Sequence, residues 1–561
     1  MKWMQIIVTL LIFILLIIPL GKYMYLVVTN KKCFGDKFFD KIDNLIYKVS
    51  GIDRNEEMGW KKYVLSLLAV NITMILIGYI IFRTQSFHIF NPNKVEGMEA
   101  SLSFNTIISF MTNTNLQHYA GETGLSYFSQ VMVIGFMMFT SGATGISVAI
   151  AFMEGIIGKK KTMTSFYVTL VRVTTRVLIP LAIIVGLLLV SQGVPETFKG
   201  PETVTTIEGK VQEISRGPVA AIESIKHIGT NGGGFFGANS SHPFENPTPI
   251  TNVIEMLAMM MIPGSLICTF GLMLKNKKQG FAIFAAMSII FLIGLIICFN
   301  AESAGNPALA KIGLNQAMGN MEGKELRFGI EGSTLFTTVT TAFTTGSVNN
   351  MHDSLTPLGG LVPLMNMMLN VVFGGAGVGF MNMVMYVILT VFLCGLMVGR
   401  TPEFLSKKIE AKEVKLIALA IIIHPLLILM FSALAVSIPA GTSAIANSGF
   451  HGLSEIVYEF TSSAANNGSG FEGLIDNTTF WNTTTGLVMF YGRYLSMIIL
   501  LAVSGSLASK NAVNVSIGTL RTDNLTFTIT LVFIVLIIGA LTFLPTLALG
   551  PIAEHLTLWY W

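Results

Sequence analysis

Gly229-Thr230-Asn231-Gly232-Gly233-Gly234 is a run of neutral oxygens and small residues set between two long apolar segments. Glycine takes positive φ without a steric penalty, so successive carbonyls can be turned toward one axis. A row of such oxygens can replace the hydration shell of an ion. Taken alone, the run reads equally well as an ordinary turn outside the membrane, because glycine clusters are weak punctuation. Three further turns of similar chemistry occur: Thr112-Asn113-Thr114-Asn115-Leu116-Gln117, Thr344-Thr345-Gly346-Ser347 and Asn466-Asn467-Gly468-Ser469-Gly470. Thr114, Gly232, Gly346 and Gly468 stand 118, 114 and 122 residues apart, the signature of an internal repeat. The candidate ion ligands are Asn113, Thr114, Asn115 and Gln117 in the first turn and Thr230, Asn231, Gly232 and Gly233 in the second. Thr344, Thr345 and Gly346 follow in the third, and Asn466, Asn467 and Gly468 in the fourth.

Each turn follows a short helix-like run, at about 101–111, 219–229, 333–343 and 453–462. Such helices would point their partially negative C-terminal ends at the turns, which favours a cation. The turns offer carbonyl, amide and hydroxyl oxygens and no carboxylate. Hard divalent cations usually recruit Asp or Glu, so the pattern fits K⁺ or a similar monovalent ion better than Ca²⁺ or Mg²⁺.

The elements that must hold these turns are membrane spans. The 561 residues are 52% hydrophobic and 12% charged. Apolar runs long enough to cross a hydrocarbon core of about 30 Å lie near 4–28, 64–82, 125–157, 171–191, 250–274, 281–299, 360–398, 414–438, 484–508 and 525–548. The linkers 29–63, 155–176, 275–278, 399–416 and 509–522 hold 23 of the 35 Lys and Arg residues. The positive-inside rule puts these linkers in the cytoplasm and both termini outside. The first apolar run continues to about Val28 without a small-residue cleavage site, so it reads as a retained span rather than a signal peptide.

The expected fold is an all-α polytopic membrane protein of about ten transmembrane helices. Four tandem span–pore helix–span repeats, 64–157, 171–274, 281–398 and 414–508, would surround one pseudo-fourfold axis. One extra span lies at each end, in 1–30 and 525–548.

Several strings carry a resemblance. They are Asn113-Thr114-Asn115-x-Gln117-x-Tyr119-x-Gly121-Glu122-Thr123, the stretch Gly229–Pro247, Met351-His352-Asp353-Ser354, Gly399-Arg400-Thr401-Pro402-Glu403 and Ser463–Ser469. Collinear over nearly the whole chain, they resemble the potassium-transporting A subunit of the Kdp-type ATPase. The resemblance implies a channel-like subunit in a bacterial cell membrane that binds extracellular K⁺ at a selectivity filter. It would pass the ion to a P-type ATPase catalytic B subunit, with a single-span C subunit and a small F subunit in the complex. The alternative within the same superfamily is a stand-alone K⁺ channel or ion-coupled transporter.

The run 360–398 is too long for one straight crossing and is broken by Phe373-Gly374-Gly375-Ala376-Gly377-Val378-Gly379. Irregular backbone at membrane depth must be buried in protein or line a cavity, so Gly374, Gly375, Gly377 and Gly379 are expected to form an unwound loop beneath the turns. The other reading is close helix packing through small residues. The resemblance implies a loop that obstructs the pore and diverts ions sideways. Asn370 stands where members of that family often carry glutamate. Arg493, inside a span, is expected to face the protein interior, either repelling cations or bonding carbonyls. Arg400 reads as a basic anchor or a residue that couples to the B subunit.

His118, His227, His242, His352 and His451 show no paired metal-ligand spacing and no carboxylate–histidine constellation in the sequence, so loop structure and capping are expected of them. Met259–Met261 and Met365–Met368 read as packing. Cys33, Cys268, Cys298 and Cys394 have no metal or redox spacing. Gly155-x-x-Gly158-Lys159 lacks the spacer and hydroxyl of a phosphate-binding loop, and no Asp-Lys-Thr-Gly string occurs. No nucleotide site is expected, and no nucleic-acid partner. Membrane lipid and the other subunits are the expected surroundings.

Overall fold

Side-chain caps start several of the long helices of this protein. Thr248, Asn276, Thr478 and Asn524 accept from the backbone N–H three residues on, at 3.1, 3.2, 3.3 and 2.8 Å. Each satisfies one N–H that the first turn of a helix leaves orphaned. A computed structural model describes residues 3–513 and 519–560. Residues 514–518 of the last basic linker, and residues 1, 2 and 561 of the terminal segments, lie outside the described residues.

Ten described helices are long and apolar enough to cross a membrane: Met4–Val28, Trp60–Arg83, Tyr127–Ile157, Phe166–Ser191, Pro249–Met273, Lys277–Lys311, Val378–Met397, Ala411–Ser437, Thr479–Ala508 and Leu525–Tyr560. The architecture is therefore the all-α polytopic one expected. Several helices start before the apolar runs that announced them, because hydropathy marks only the apolar part and the polar caps mark the true ends. The expected span 171–191 begins at Phe166 and passes through a wide π-helical turn at Thr174–Leu178.

One segment differs from the sequence reading, and another breaks where the sequence predicted. The linker 29–63 contains a helix, Asp36–Ser50, whose mixed charge and aromatic content hid its periodicity. The run 360–398 is two helices, Pro357–Leu369 and Val378–Met397, with Asn370 ending the first at φ 48°.

Between the spans stand four shorter helices, Ala100–Met111, Val219–Ile228, Gly329–Ala342 and Gly449–Ala465. The third is rich in threonine, a poor helix former when exposed. Here Thr334, Thr338 and Thr341 are buried, and each hydroxyl donates to the carbonyl four residues back at 2.8 Å. Burial has turned the polar hydroxyls back onto the helix itself.

The first span packs along Pro249–Met273 through small residues. A Cβ at Gly21 would sit 2.6 Å from Cys268 Cβ, and Thr269 Oγ1 donates to the Gly21 carbonyl at 3.1 Å. Ser265 Oγ adds a bond to the Ile17 carbonyl at 3.3 Å. In a bilayer, where apolar side chains gain little by meeting each other rather than lipid, close backbone approach with hydroxyl bonds is the available adhesive.

At the other end of the chain, His451 holds the last helix to the fourth repeat. Its Nε2 lies 2.9 Å from Asp353 Oδ1 and its Nδ1 lies 2.9 Å from Glu554 Oε1. Burial opposes the charge on the ring, but the hydrogen bonds to the two carboxylates prevail and push its pKa up to about 10. A raised folded-state pKa gives stability that is complete below the unfolded value of about 6.5 and is lost as pH rises through the folded value. We expect His451→Gln to lower the thermal midpoint of the detergent-solubilised protein at pH 6, by the equivalent of about 2 kcal/mol. The gap from the parent should close as the pH approaches 10. An equal gap at both pH values would mean that the ring contributes packing and not charge.

A ring of four polar turns as the candidate ion site

The four pore helices end in the same backbone pattern. Asn113, Thr230, Thr344 and Asn466 have φ of 63°, 50°, 46° and 56°, and two residues later Asn115, Gly232, Gly346 and Gly468 have φ of 55°, 118°, 93° and 105°. Two left-handed residues flank one residue whose φ is not positive, so each pore helix is ended by a left-handed cap and followed by a second left-handed turn residue. The pattern also corrects the register of the repeat: Gly232 corresponds to Asn115, not to Thr114. The sequence spacing missed this by one residue because only three of the four equivalent positions are glycine.

The turns meet head to tail. A methyl group at Gly232 would overlap the Thr345 carbonyl, one at Gly346 the Asn467 carbonyl, and one at Gly468 the Thr114 carbonyl. Gly233, whose φ is not positive, lies against the Asn115 carbonyl in the same way. Glycine is required at Gly232, Gly346 and Gly468 both for positive φ and for this approach. Asn115 keeps a side chain at the fourth position, and its amide nitrogen and oxygen are buried without a hydrogen-bond partner among the described residues.

Side chains tie each turn to its neighbours. Asn113 Nδ2 donates to the Gly229 and Thr230 carbonyls at 3.2 and 2.7 Å, while Asn113 Oδ1 accepts from Asn231 Nδ2 at 2.9 Å. Asn467 Nδ2 donates to the Thr340 carbonyl at 3.0 Å, and Asn466 Nδ2 to Thr114 Oγ1 at 3.0 Å. Gln117 brackets Gly234, donating to its carbonyl at 3.1 Å and accepting from its N–H at 2.9 Å. Gln117 thus serves as a brace between the first and second turns. The Gly232 carbonyl accepts from Asn239 Nδ2 at 3.0 Å, which leaves it one lone pair.

A fully buried lysine stands behind the second turn. Lys226 Nζ is 2.7 Å from Glu245 Oε2, 2.8 Å from Glu223 Oε2 and 2.8 Å from Asn239 Oδ1. Glu245 Oε1 accepts from the Phe236 N–H at 2.8 Å. Asn239 therefore links the ammonium to the Gly232 carbonyl. A comparable buried pair, Lys324–Glu302 at 2.7 Å, holds the third repeat, where Glu302 also accepts from Thr356. Sequence reasoning passed over both pairs. The available signal was Glu223 and Lys226 three residues apart in a short run otherwise dominated by apolar residues.

The histidines also need correction, since among the described residues three carboxylate–histidine groups do form in space. They are His118–Glu459–Asp476, Glu223–His227–Glu255 and Asp353–His451–Glu455. Their members come from segments far apart in the chain, which is why spacing could not show them. Each ring couples elements of different repeats. His118 Nδ1 is 2.7 Å from Asn482 Oδ1, His227 Nε2 is 2.9 Å from Ser347 Oγ, and His352 Nδ1 is 2.7 Å from Tyr458 OH. Environment sets their charge. His118 is buried, but the Asp476 and Glu459 carboxylates raise its pKa to about 9. Burial, with Lys324 nearby, lowers that of His352 to about 3. His352 and His242 lie outside these groups, and His242 is stacked on Phe236 at 3.7 Å.

Directly against the turns lies the glycine loop. Ala376 N–H donates to Thr230 Oγ1 at 2.8 Å, and Gly374 N–H donates to the Ala342 carbonyl at 2.8 Å. Gly374 and Gly377 have φ of 65° and 93°. A Cβ at Gly377 would overlap the Gly145 carbonyl, and Gly374 and Gly379 face each other too closely for any side chain. Phe373 stacks on Phe343 at 4.4 Å and anchors the loop to the end of the third pore helix. Asn370 Oδ1 is 3.5 Å from Thr344 Oγ1.

Arg493 is buried beside this loop with Nη2 3.5 Å from the Ser141 carbonyl, so it does bond backbone as one of the two readings held. Arg400 lies at the exposed end of Val378–Met397, its N–H bonded to the Gly395 carbonyl at 2.8 Å. A small cavity opens on the other side of the loop, lined in part by Asn370, Asn382, His424, Asn466, Ser496 and Thr542.

The sequence model of the family described as "Potassium-transporting ATPase A subunit" matches residues 7–556. A protein of Clostridium acetobutylicum, named potassium-transporting ATPase potassium-binding subunit, is 64% identical over 558 residues, covering 100% of both chains. A Geobacillus kaustophilus protein of the same name is 58% identical over 551 residues and covers 98% of each. Among solved structures, the potassium transporter TrkH from Vibrio parahaemolyticus superposes with a TM-score of 0.54 at 13% identity, covering 89% of this chain and 98% of that one. That likeness bears on the fold alone. With family, length and fold in agreement, the chain belongs to the potassium-transporting ATPase A subunit family.

Proposed function

We propose that this chain is the potassium-binding and potassium-translocating subunit of an ATP-driven, high-affinity K⁺ uptake complex. The observation that carries the reading is the closed ring of four left-handed turns, with neutral oxygens and pore-helix C-terminal ends gathered at one place. In the proposed orientation the ring faces outside, the basic linkers face the cytoplasm and both described ends of the chain lie outside. K⁺ is the transported ion, held by oxygens of Asn113 to Asn115, Thr230 to Gly233, Thr344 to Gly346 and Asn466 to Gly468. Gln117, Asn239 and Lys226 support these positions from behind.

The loop Gly374–Gly379 then closes the direct route across the membrane. An ion leaving the ring meets backbone at Ala376 and the fixed charge of Arg493 on one side. On the other side Asn370, Asn466 and Ser496 offer oxygens in an otherwise apolar layer. The ion is therefore passed sideways, to a P-type catalytic B subunit that hydrolyses ATP, with C and F subunits completing the complex. Arg400, at the basic end of the helix that follows the loop, is placed to report the loop's position to a partner. The interrupted route favours this reading over a stand-alone channel, which needs an open axis.

Two outcomes follow. Gly232→Ser, Gly346→Ser and Gly468→Ser each place a Cβ against the next turn's carbonyl at a φ that costs about 1–3 kcal/mol for a side-chain-bearing residue. Each should raise the K⁺ concentration for half-maximal uptake by the assembled complex about tenfold or more and weaken discrimination against Rb⁺. Unchanged uptake at micromolar K⁺ in all three would place the ion site elsewhere.

Removing Gly374–Gly377 should produce a passive K⁺ leak in planar bilayers and uncouple ATP hydrolysis from K⁺. Arg400→Gln should affect K⁺-stimulated hydrolysis without opening the leak. A tight membrane with normal K⁺-stimulated hydrolysis in the deletion would show that the glycines serve helix packing alone.

A further inference from the structure

The helix Asp36–Ser50 is amphipathic the wrong way round for a soluble surface. Its acidic face, Asp36, Asp40 and Asp43, turns inward onto one guanidinium. Arg176 Nη2 is 2.8 Å from Asp40 Oδ1 and 2.7 Å from Asp43 Oδ2, Nε donates to Asp43 at 2.9 Å, and Nη1 pairs with Asp36. Thr175 Oγ1 adds a bond to Asp43 at 2.7 Å. The apolar arc points away from the protein: Phe38, Leu45 and Val49 are 64%, 63% and 79% exposed, and Phe34, just before the helix, is 90% exposed. At 3.6 residues per turn, Phe38, Leu45 and Val49 share one stripe, and the exposed Lys37, Lys41 and Lys48 form a second stripe along its flank.

Position in the fold supplies the occupant. Arg176 immediately precedes the uncharged run Val177–Ser191, so it marks the start of the hydrocarbon layer on the basic side of the membrane. A helix pinned to that guanidinium is held at the boundary between acyl chains and headgroups. An apolar stripe flanked by lysines is the arrangement by which a helix lies in such a boundary, with its apolar side chains in the acyl region and its ammonium groups among anionic headgroups. We infer that Asp36–Ser50 is an interfacial membrane helix that binds anionic phospholipid on the basic side of the bilayer, with Arg176 as its fixed mooring. The inference uses the membrane-spanning fold and the distribution of basic residues, and stands independently of the ion route.

The test is photocrosslinking of the full chain, assembled in vesicles of equal parts phosphatidylglycerol and phosphatidylcholine. The substitutions are Phe38→p-benzoylphenylalanine and, separately, Leu45→p-benzoylphenylalanine. Leu15→p-benzoylphenylalanine, on the exposed stripe of the first span, serves as the lipid-facing control. The expected result is a phospholipid-mass adduct at both interfacial positions. Phosphatidylglycerol should be enriched in that adduct, and the enrichment should fall about fivefold in K37Q/K41Q/K48Q. An adduct with another polypeptide would assign the face to a partner and overturn the proposal. So would silence at both positions while Leu15 crosslinks, since the face would then be in water. Equal capture of both lipids, unchanged by the lysine substitutions, would overturn the anionic preference.

Discussion

Everything in this molecule depends on closing a polar backbone into a ring at a depth where water cannot satisfy it. The closure is made by carbonyls of one turn lying against glycine Cα atoms of the next, at Gly232, Gly346 and Gly468. A side chain at any of these positions would hold two turns apart, and the ring would lose the dimensions that allow its oxygens to act together. The fourth junction is different, because Asn115 brings a side chain into the left-handed position that glycine fills elsewhere. The four repeats are thus one backbone design carried by four different sequences, and the ring is fourfold in backbone but not in chemistry.

Such a ring is held in shape from behind. The buried groups around it are costly in isolation, since an uncompensated charge at that depth costs several kcal/mol. Lys226 meets this by contacting two carboxylates and Asn239 at once, and Glu302 by accepting from Thr356 and Asn320 while pairing with Lys324. Paired buried charges add little net stability compared with apolar packing, but breaking one partner is severe. They fix geometry: a lysine that must satisfy three oxygens admits one position, and Asn239 passes that position on to the Gly232 carbonyl. The histidines do the same between repeats: two carboxylates favour the charged ring at His118, while burial, with Lys324 nearby, disfavours it at His352.

The glycine loop is continuous with this framework. Its N–H groups at Gly374 and Ala376 are taken by the Ala342 carbonyl and the Thr230 hydroxyl, so unwinding the helix leaves neither donor orphaned. The loop is also fixed by the Phe373 ring, which stacks on Phe343 and meets Phe13, Phe284 and Phe291 edge-on. The absence of side chains at Gly374, Gly375 and Gly377 lets this backbone lie close against Gly379 and the Thr344 and Gly145 carbonyls.

The membrane class, the spans, the four polar turns and the break at Phe373–Gly379 were legible in the amino-acid sequence, because each depends on local quantities. Hydropathy over about twenty residues decides insertion, and glycine runs mark backbone that side chains would forbid. The collinear strings carried the family as well. What the sequence could not show is whatever depends on distance in space rather than along the chain. The partners Lys226–Glu245, Lys324–Glu302 and His118–Glu459 join elements that meet only after folding. The register that aligns Gly232 with Asn115 is set by backbone dihedrals, and Asn115 disguised it. The helix Asp36–Ser50 escaped because its polar face is the buried one, and only Arg176, more than a hundred residues later, makes that arrangement favourable. Local composition fixed which segments enter the membrane and where they break, while tertiary contact alone decided which charges are tolerable inside it.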